Sequence, residues 1–152
     1  MNNQEIIDYI ISLLTRHTTF KFEKDGDNLM IYAHDEEIGL DILLMTEENE
    51  NTLYLGEFFH WHFNLNEEDT NQMIDWIIYG LTGYARVKEF SKRGKPYKGI
   101  LQIRDKNDVW QDKETMRLSN FYFWIKPTIK YHQNDHLPIE LFYNRETESS
   151  AI

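Results

Sequence analysis

Two histidines, His60 and His62, stand two residues apart in a segment that has the alternation of a β-strand. Side chains at this spacing on a strand point to the same side, with their backbones about 6.5–7 Å apart. Two imidazoles so placed can bind one zinc or iron ion, or act as acid and base. The pair is therefore the candidate ligand or metal site. The alternative is that both histidines are ordinary residues on the outer or partner-facing side of a strand.

A metal site on this pair would need a third ligand, and the spacing of the chain selects none. The candidates are His34, Asp41, Glu57, His132 and His136. Glu57 is the nearest of them in sequence and could instead serve as an acid–base group. Its place in the alternation groups it with apolar residues, and burying an unpartnered carboxylate is costly. We expect instead a β-bulge at Gly56 that exposes Glu57.

The elements that would position these residues follow from hydrophobic periodicity. Residues 3–16 are predicted to form a helix, because their apolar residues recur at helical spacing. A second helix should follow Asn66, a suitable N-cap before an acidic first turn, and should end at Gly80 or Gly83. Strands are predicted over residues 20–23, 29–33, 38–45, 53–65, 84–90, 97–104, 109–110, 121–125 and 139–143.

This order of elements predicts a single α+β domain over residues 1–143. Short connections favour antiparallel neighbours, so we expect a mostly antiparallel, curved sheet that carries the two helices on one face. Residues 144–152 contain a single bulky aliphatic residue, Ile152, and are expected to form a flexible tail.

Composition and motifs exclude several functional classes. The 152 residues include no cysteine, which excludes disulfides and thiolate chemistry within the chain. No glycine-rich nucleotide-binding loop and no HExxH motif occurs. The first residues do not resemble a signal peptide, and no window approaches the roughly 18 apolar residues that span a bilayer. We therefore expect a cytoplasmic protein, not an enzyme, with no cofactor and no membrane contact.

The formal net charge of −10 is unevenly distributed along the chain. Residues 1–70 hold 16 acidic and three basic residues, a net charge of −13, whereas residues 71–152 hold 10 acidic and 13 basic residues, a net charge of +3. An acidic surface attracts basic partners, although such clusters also occur as solvated turns and helix starts. The residues predicted to recognise a protein partner are Asp35, Glu36, Glu37, Glu47, Glu48 and Glu50.

Basic residues concentrate between Arg86 and Lys98, around the predicted turn of a hairpin, with Tyr84, Phe90 and Tyr97 nearby. Phosphate contacts and stacking at such a hairpin could bind nucleic acid. Because the acidic first half repels phosphates, we expect no nucleic-acid binding. The hairpin is instead interpreted as a solvated element or a protein contact.

One part of the sequence resembles a known kind of protein. The segment Gly-Glu-Phe-Phe-His-Trp-His-Phe, at residues 56–63, is followed by a helix that begins with acidic residues, is rich in Trp and Ile and ends at a glycine. A hairpin that ends near Val109 and Trp110 comes next. Over about residues 53–110, this order resembles small bacterial immunity proteins found beside polymorphic toxins, which carry an HxHF segment before a helix and hairpin. The resemblance implies a stoichiometric binder and supplies no functional residues.

The function expected from these features is inhibition of another protein. We expect an immunity or antitoxin type of protein, monomeric or homodimeric, that neutralises a partner such as a basic nuclease toxin. A phage anti-defence protein would have the same features. The alternative is a metal-dependent enzyme or small-ligand binder that uses His60 and His62.

Overall fold

The computed structural model describes residues 1–118, 124–138 and 140, and the structural statements below concern these residues. They contain two α-helices and nine β-strands. In chain order the elements are α1 (Asn3–His17), β1 (Phe22–Asp25), β2 (Asn28–Ile31), β3 (Ile42–Thr46), β4 (Glu50–Leu55), β5 (Phe59–Asn64), α2 (Glu67–Thr82), β6 (Ala85–Lys92), β7 (Lys95–Arg104), β8 (Trp110–Arg117) and β9 (Thr128–His132).

The strands form two antiparallel sheets, which confirms the predicted α+β class. The first sheet has the order β1-β2-β3-β4-β5, so each strand pairs with its neighbour in sequence. The second has the order β8-β7-β6-β9, in which β9 returns to pair with β6. Turns of two or three residues join β1 to β2, β3 to β4 and β4 to β5, whereas a ten-residue loop, residues 32–41, joins β2 to β3.

Both helices contribute to one hydrophobic core. The buried residues of α1 are Ile6, Ile7, Ile10 and Leu14. Helix α2 contacts β4, β5 and β6 and therefore packs against both sheets. At Gly80, within α2, a Cβ atom would lie 3.0 Å from Ile42 Cδ1, so the absence of a side chain lets the helix lie close to the first sheet.

Local signals located both helices correctly. Asn2 caps α1 in a capping box with Glu5. The side chain of Asn66 accepts a hydrogen bond from the backbone N–H of Asp69 and caps α2. At the other end of α2, Gly83 takes the left-handed conformation with φ 76°. These caps lie within a few residues of the helices they end, which is why the sequence indicates them.

The prediction of one long strand over residues 53–65 is wrong. This segment is a hairpin, in which β4 and β5 are joined by a turn at residues 56–58. Gly56 has φ 61°, and a Cβ atom there would lie 2.7 Å from Leu40 Cδ2. The feature at Gly56 is thus a turn and not the expected bulge, and it exposes Glu57 as predicted.

Other predicted elements differ at their bounds. β1 begins two residues later than expected, and β3 begins at Ile42 because residues 32–41 form a loop. β9 was not predicted. Of the strand predicted over 121–125, residues 121–123 lie outside the described residues, and Trp124 and Ile125 lie in a turn. The strand predicted over 139–143 lies outside them too, apart from Glu140, which is not in a strand, and so does the predicted tail 144–152.

Candidate functional site

The two histidines lie on the exposed face of β5, side by side as predicted. Their rings meet edge to face, with centroids 5.4 Å apart. His60 stacks on Tyr54, and His62 Nδ1 lies 3.1 Å from both Glu50 Oε1 and Thr52 Oγ1. Tyr54 and Thr52 are the register partners of His60 and His62 on β4. The hairpin therefore surrounds the pair with its own polar side chains.

The structure brings none of the predicted third ligands to this pair. Within the described residues, no group of three or more His, Cys, Asp or Glu side chains is placed to hold a metal ion. Glu57 lies in the turn at residues 56–58, and the antiparallel register places that turn beyond His60, at the opposite end of β5 from His62. The pair thus shares its surroundings with Glu50, one of the predicted recognition residues.

Acidic residues gather at one end of the first sheet, and we call this group the acidic end. The register brings together the β1–β2 turn, the β3–β4 turn and the start of α2: Asp25 pairs with Asn28, Thr46 with Asn51, and Glu50 with Asn64. The Thr46 hydroxyl donates to the carbonyl oxygen of Asp27, which fixes two of these turns against each other. The acidic end comprises Asp25, Asp27, Glu47, Glu48, Glu50, Glu67, Glu68 and Asp69.

The six predicted recognition residues do not form one surface. Glu47, Glu48 and Glu50 belong to the acidic end, whereas Asp35, Glu36 and Glu37 lie in the loop at the other end of β3. The carboxylate of Asp35 accepts from the backbone N–H groups of Glu37 and Ile38, so it shapes this loop. Sequence analysis missed Asp25 and Asp27 as neighbours of Glu47, because their proximity depends on the pairing of β2 with β3.

A C-terminal segment, residues 133–137, holds this loop in place, and we call it the strap. Asn134 is buried, and its side chain donates to the carbonyl oxygen of Leu40 and accepts from the N–H of the same residue, each at 2.8 Å. Gln133 N–H donates to Ile38, and Leu137 N–H donates to Leu81 near the end of α2. The strap therefore joins the loop that carries Asp35, Glu36 and Glu37 to the core.

The strap also carries a buried histidine. His136 is 2% exposed, and its Nδ1 lies 3.1 Å from His34 Nε2. Burial and the nearby His34 ring lower the pKa of His136 to about 4. His136 Nε2 is buried and has no hydrogen-bond partner among the described residues. His34, offered above as a metal ligand, instead contacts Asp135 and the Thr19 carbonyl oxygen.

A groove of about 710 Å³ lies at the end of the first sheet next to the strap and reaches the second sheet. Its lining includes the carboxylates of Glu36, Asp41, Glu57 and Glu89, together with Tyr32, Tyr54 and Phe58. The Lys21 ammonium, which also lines the groove, lies 5.1 Å from the centre of the Tyr32 ring. Glu89 faces His132 at 3.5 Å, with both side chains largely buried. Carboxylates beside aromatic rings favour positively charged groups.

Comparisons with protein families, with curated proteins and with solved structures find no match to this chain. Among the described residues, neither helix has the length and apolar character that crossing a membrane requires.

Proposed function

We propose that this chain is a protein-binding inhibitor of the immunity or antitoxin type, and that the acidic end is its recognition surface. The observation that carries the proposal is the convergence of separate acidic segments at one end of the first sheet. The resemblance of residues 53–110 to immunity proteins supports the same class. A phage anti-defence inhibitor would use the surface in the same way.

The acidic end suits a partner with a basic surface. Carboxylates from several turns, held by a rigid sheet, produce a local negative potential that attracts a basic protein and speeds association. A nuclease toxin presents such a basic surface where it binds phosphates. A carboxylate surface that covers it would exclude the nucleic acid, so inhibition requires tight binding and no catalysis.

The matched variants for this test are E47K/E48K, at the acidic end, and E36K/E37K, in the loop at the other end of the sheet. All four side chains are exposed. Each double variant changes the net charge by the same amount, so the comparison separates local contact from overall charge. The partner is first isolated from a lysate of the native host with the untagged protein and identified by mass spectrometry. Its affinity for both variants is then measured by calorimetry at two salt concentrations.

We expect E47K/E48K to weaken binding by at least about tenfold, and the salt dependence of the affinity to decrease with it. E36K/E37K should change the affinity much less. Equal losses of affinity in both variants would show that overall charge determines binding. Unchanged affinity in E47K/E48K would exclude the acidic end as the recognition surface.

The rival function, a metal or small-ligand site at His60 and His62, has a separate test. Elemental analysis of protein purified without an affinity tag would reveal a stoichiometric metal. H60A/H62A should then lose that metal. We expect no stoichiometric metal, and finding one that the double variant loses would favour the rival.

A further inference from the structure

The outer face of the second sheet combines basic and aromatic side chains, and we call it the basic face. Register places these residues on one side, because Arg86 pairs with Gln102, Phe90 with Lys98, Lys98 with Arg117, and Lys88 with Tyr131. Directly paired residues of antiparallel strands lie on the same face. The basic face comprises Arg86, Lys88, Phe90, Lys98, Arg104, Trp110, Arg117, Ile129 and Tyr131.

The other side of this sheet faces the core. Val87 and Leu101, at alternate positions of β6 and β7, are fully buried. On the basic face, Ile129 is 46% exposed and Tyr131 is 42% exposed. Ile100, which pairs with Lys88 on this face, is 8% exposed beneath the long side chains, so among the described residues the face is most open at β9.

The cations of this face are held by aromatic rings. Arg86 lies between Trp110 and Tyr131, with its guanidinium carbon 4.0 Å and 4.2 Å from the two ring centres. Lys88 and Lys98 lie over Phe90 at 5.3 Å and 4.7 Å. Such contacts keep long side chains extended across the sheet and leave the charge unneutralised.

Few carboxylates oppose these cations. Among the described residues of the four strands, Asp112 is the acidic residue on this face, and it accepts a hydrogen bond from Gln102, which in turn accepts from Arg86 Nε. Within the described part of the chain, Arg104 has a carboxylate within reach, that of Asp108 at 3.8 Å. A protein with a formal net charge of −10 therefore concentrates positive charge on one sheet face.

We infer that the basic face binds single-stranded nucleic acid. Cations arranged along strands can contact successive phosphates, and the exposed ring of Tyr131 can stack on an unpaired base. A duplex fits less well, because its bases are already stacked and, in the part of the chain that the structure describes, no helix projects from this face into a groove. The inference is independent of the proposed inhibitory function, since it concerns the other sheet.

The test uses fluorescence anisotropy with the whole protein and four labelled probes of about 15 nucleotides. They are oligo-dT, oligo-U, an abasic strand of the same length and a mixed-sequence duplex. The abasic strand keeps the phosphates and lacks the bases, so its affinity compared with that of oligo-dT measures the contribution of base stacking. Variants are K88E/K98E on the basic face and, as a control with the same change in charge, K21E/K24E, which changes one residue of β1 and the residue before β1. Circular dichroism checks that each variant is folded.

The oligo-dT and oligo-U probes should bind the unmodified protein, and log K should fall with log salt at a slope of about −3, as for four or five phosphate contacts. K88E/K98E should weaken binding by at least about tenfold, whereas K21E/K24E should remain within about twofold. The abasic strand should bind about tenfold more weakly than oligo-dT. Y131A should also weaken oligo-dT binding without changing the salt slope.

Several results would overturn the inference. One is the absence of saturable binding to either single strand at low salt, and another is equal loss in the two charge variants. If the duplex or the abasic strand bound as tightly as oligo-dT, or more tightly, the face would attract any polyanion. Displacement of oligo-dT by polyglutamate or phosphatidylserine vesicles at lower concentrations than by unlabelled oligo-dT would point to an acidic protein or a membrane instead.

Discussion

His136 Nδ1 lies 3.1 Å from His34 Nε2, and this contact joins the strap to the loop that carries Asp35, Glu36 and Glu37. The Thr19 carbonyl oxygen, 2.8 Å from the same His34 nitrogen, can only accept a hydrogen bond, so this nitrogen carries a proton. In the contact between the two rings His136 Nδ1 can therefore only accept, and it shares the single N–H of His34 Nε2 with the Thr19 oxygen. Protonation of His136 would remove that acceptor and place a charge beside His34 in a buried position.

The first prediction concerns stability at acidic pH. Because the folded-state pKa of His136 is about 4 and its ordinary value is 6.5, the unfolded chain binds more protons between these values. Stability from this residue is therefore fully present above pH 6.5 and is lost as pH falls towards 4, by about 3 kcal/mol. Urea unfolding at pH 7, 5.5 and 4.5 measures the loss. Across this range the free energy of unfolding should decrease less in H136Q than in the unmodified protein. H17Q, at the exposed end of α1, should behave as the unmodified protein. A decrease in H136Q equal to that of the unmodified protein would contradict the assignment of the loss to His136.

The second prediction concerns Asn134, the residue that fastens the strap. N134A leaves both the N–H and the carbonyl oxygen of Leu40 without their partner, and should destabilise the protein by about 2–4 kcal/mol. Hydrogen exchange should also show reduced protection of the Leu40 amide. N71A, at an exposed position of α2, serves as the control and should change stability little. A loss of stability in N134A without faster exchange at Leu40 would contradict this account.

The third prediction compares two glycines with nearly the same backbone conformation. Gly26 has φ 59° and open space around it, whereas Gly56 has φ 61° and lies against Leu40. G26A should cost about 1 kcal/mol, from the left-handed conformation alone. G56A should cost about 2–4 kcal/mol, because the new methyl group also displaces Leu40. Thermal unfolding of both variants measures the difference, and equal costs would show that packing at Leu40 relaxes freely.

The fourth prediction concerns repulsion within the acidic end. Like charges from adjacent turns destabilise the folded state, and salt screens them. E47Q/E48Q should therefore raise the midpoint of thermal unfolding at low salt, and the increase should disappear at about 0.5 M salt, where the Debye length is only a few ångströms. E36Q/E37Q, at the other end of the sheet, is the control that removes the same number of charges. An increase that persists at high salt would indicate a cause other than charge.

Periodicity identified the buried residues around the histidines although the predicted strand was wrong. Leu55 and Phe59 are register partners across the turn, and partners in an antiparallel hairpin share a face. Both have odd numbers, so the odd-numbered residues face the core in both strands, although Glu57 in the turn between them is exposed. Periodicity therefore cannot reveal such a turn, and Gly56 was the local signal for it.

The sequence by itself determined the two helices and the local features at the ends of elements. Capping at Asn66, the glycine after α2 and the basic tip between β6 and β7 depend on neighbouring residues, and all three were predicted. These features arise from backbone preferences and hydrogen bonds that act over a few residues.

Only the tertiary structure decided how the charges are grouped. Pairing of β2 with β3 brought Asp27 to the acidic end, and pairing of β6 with β9 brought Tyr131 beside Arg86. The same pairing carried the strap back to the loop that holds Glu36. Contacts between residues far apart in sequence depend on which strands pair and how the sheets pack. A net charge summed along the chain therefore contains neither the acidic end nor the basic face.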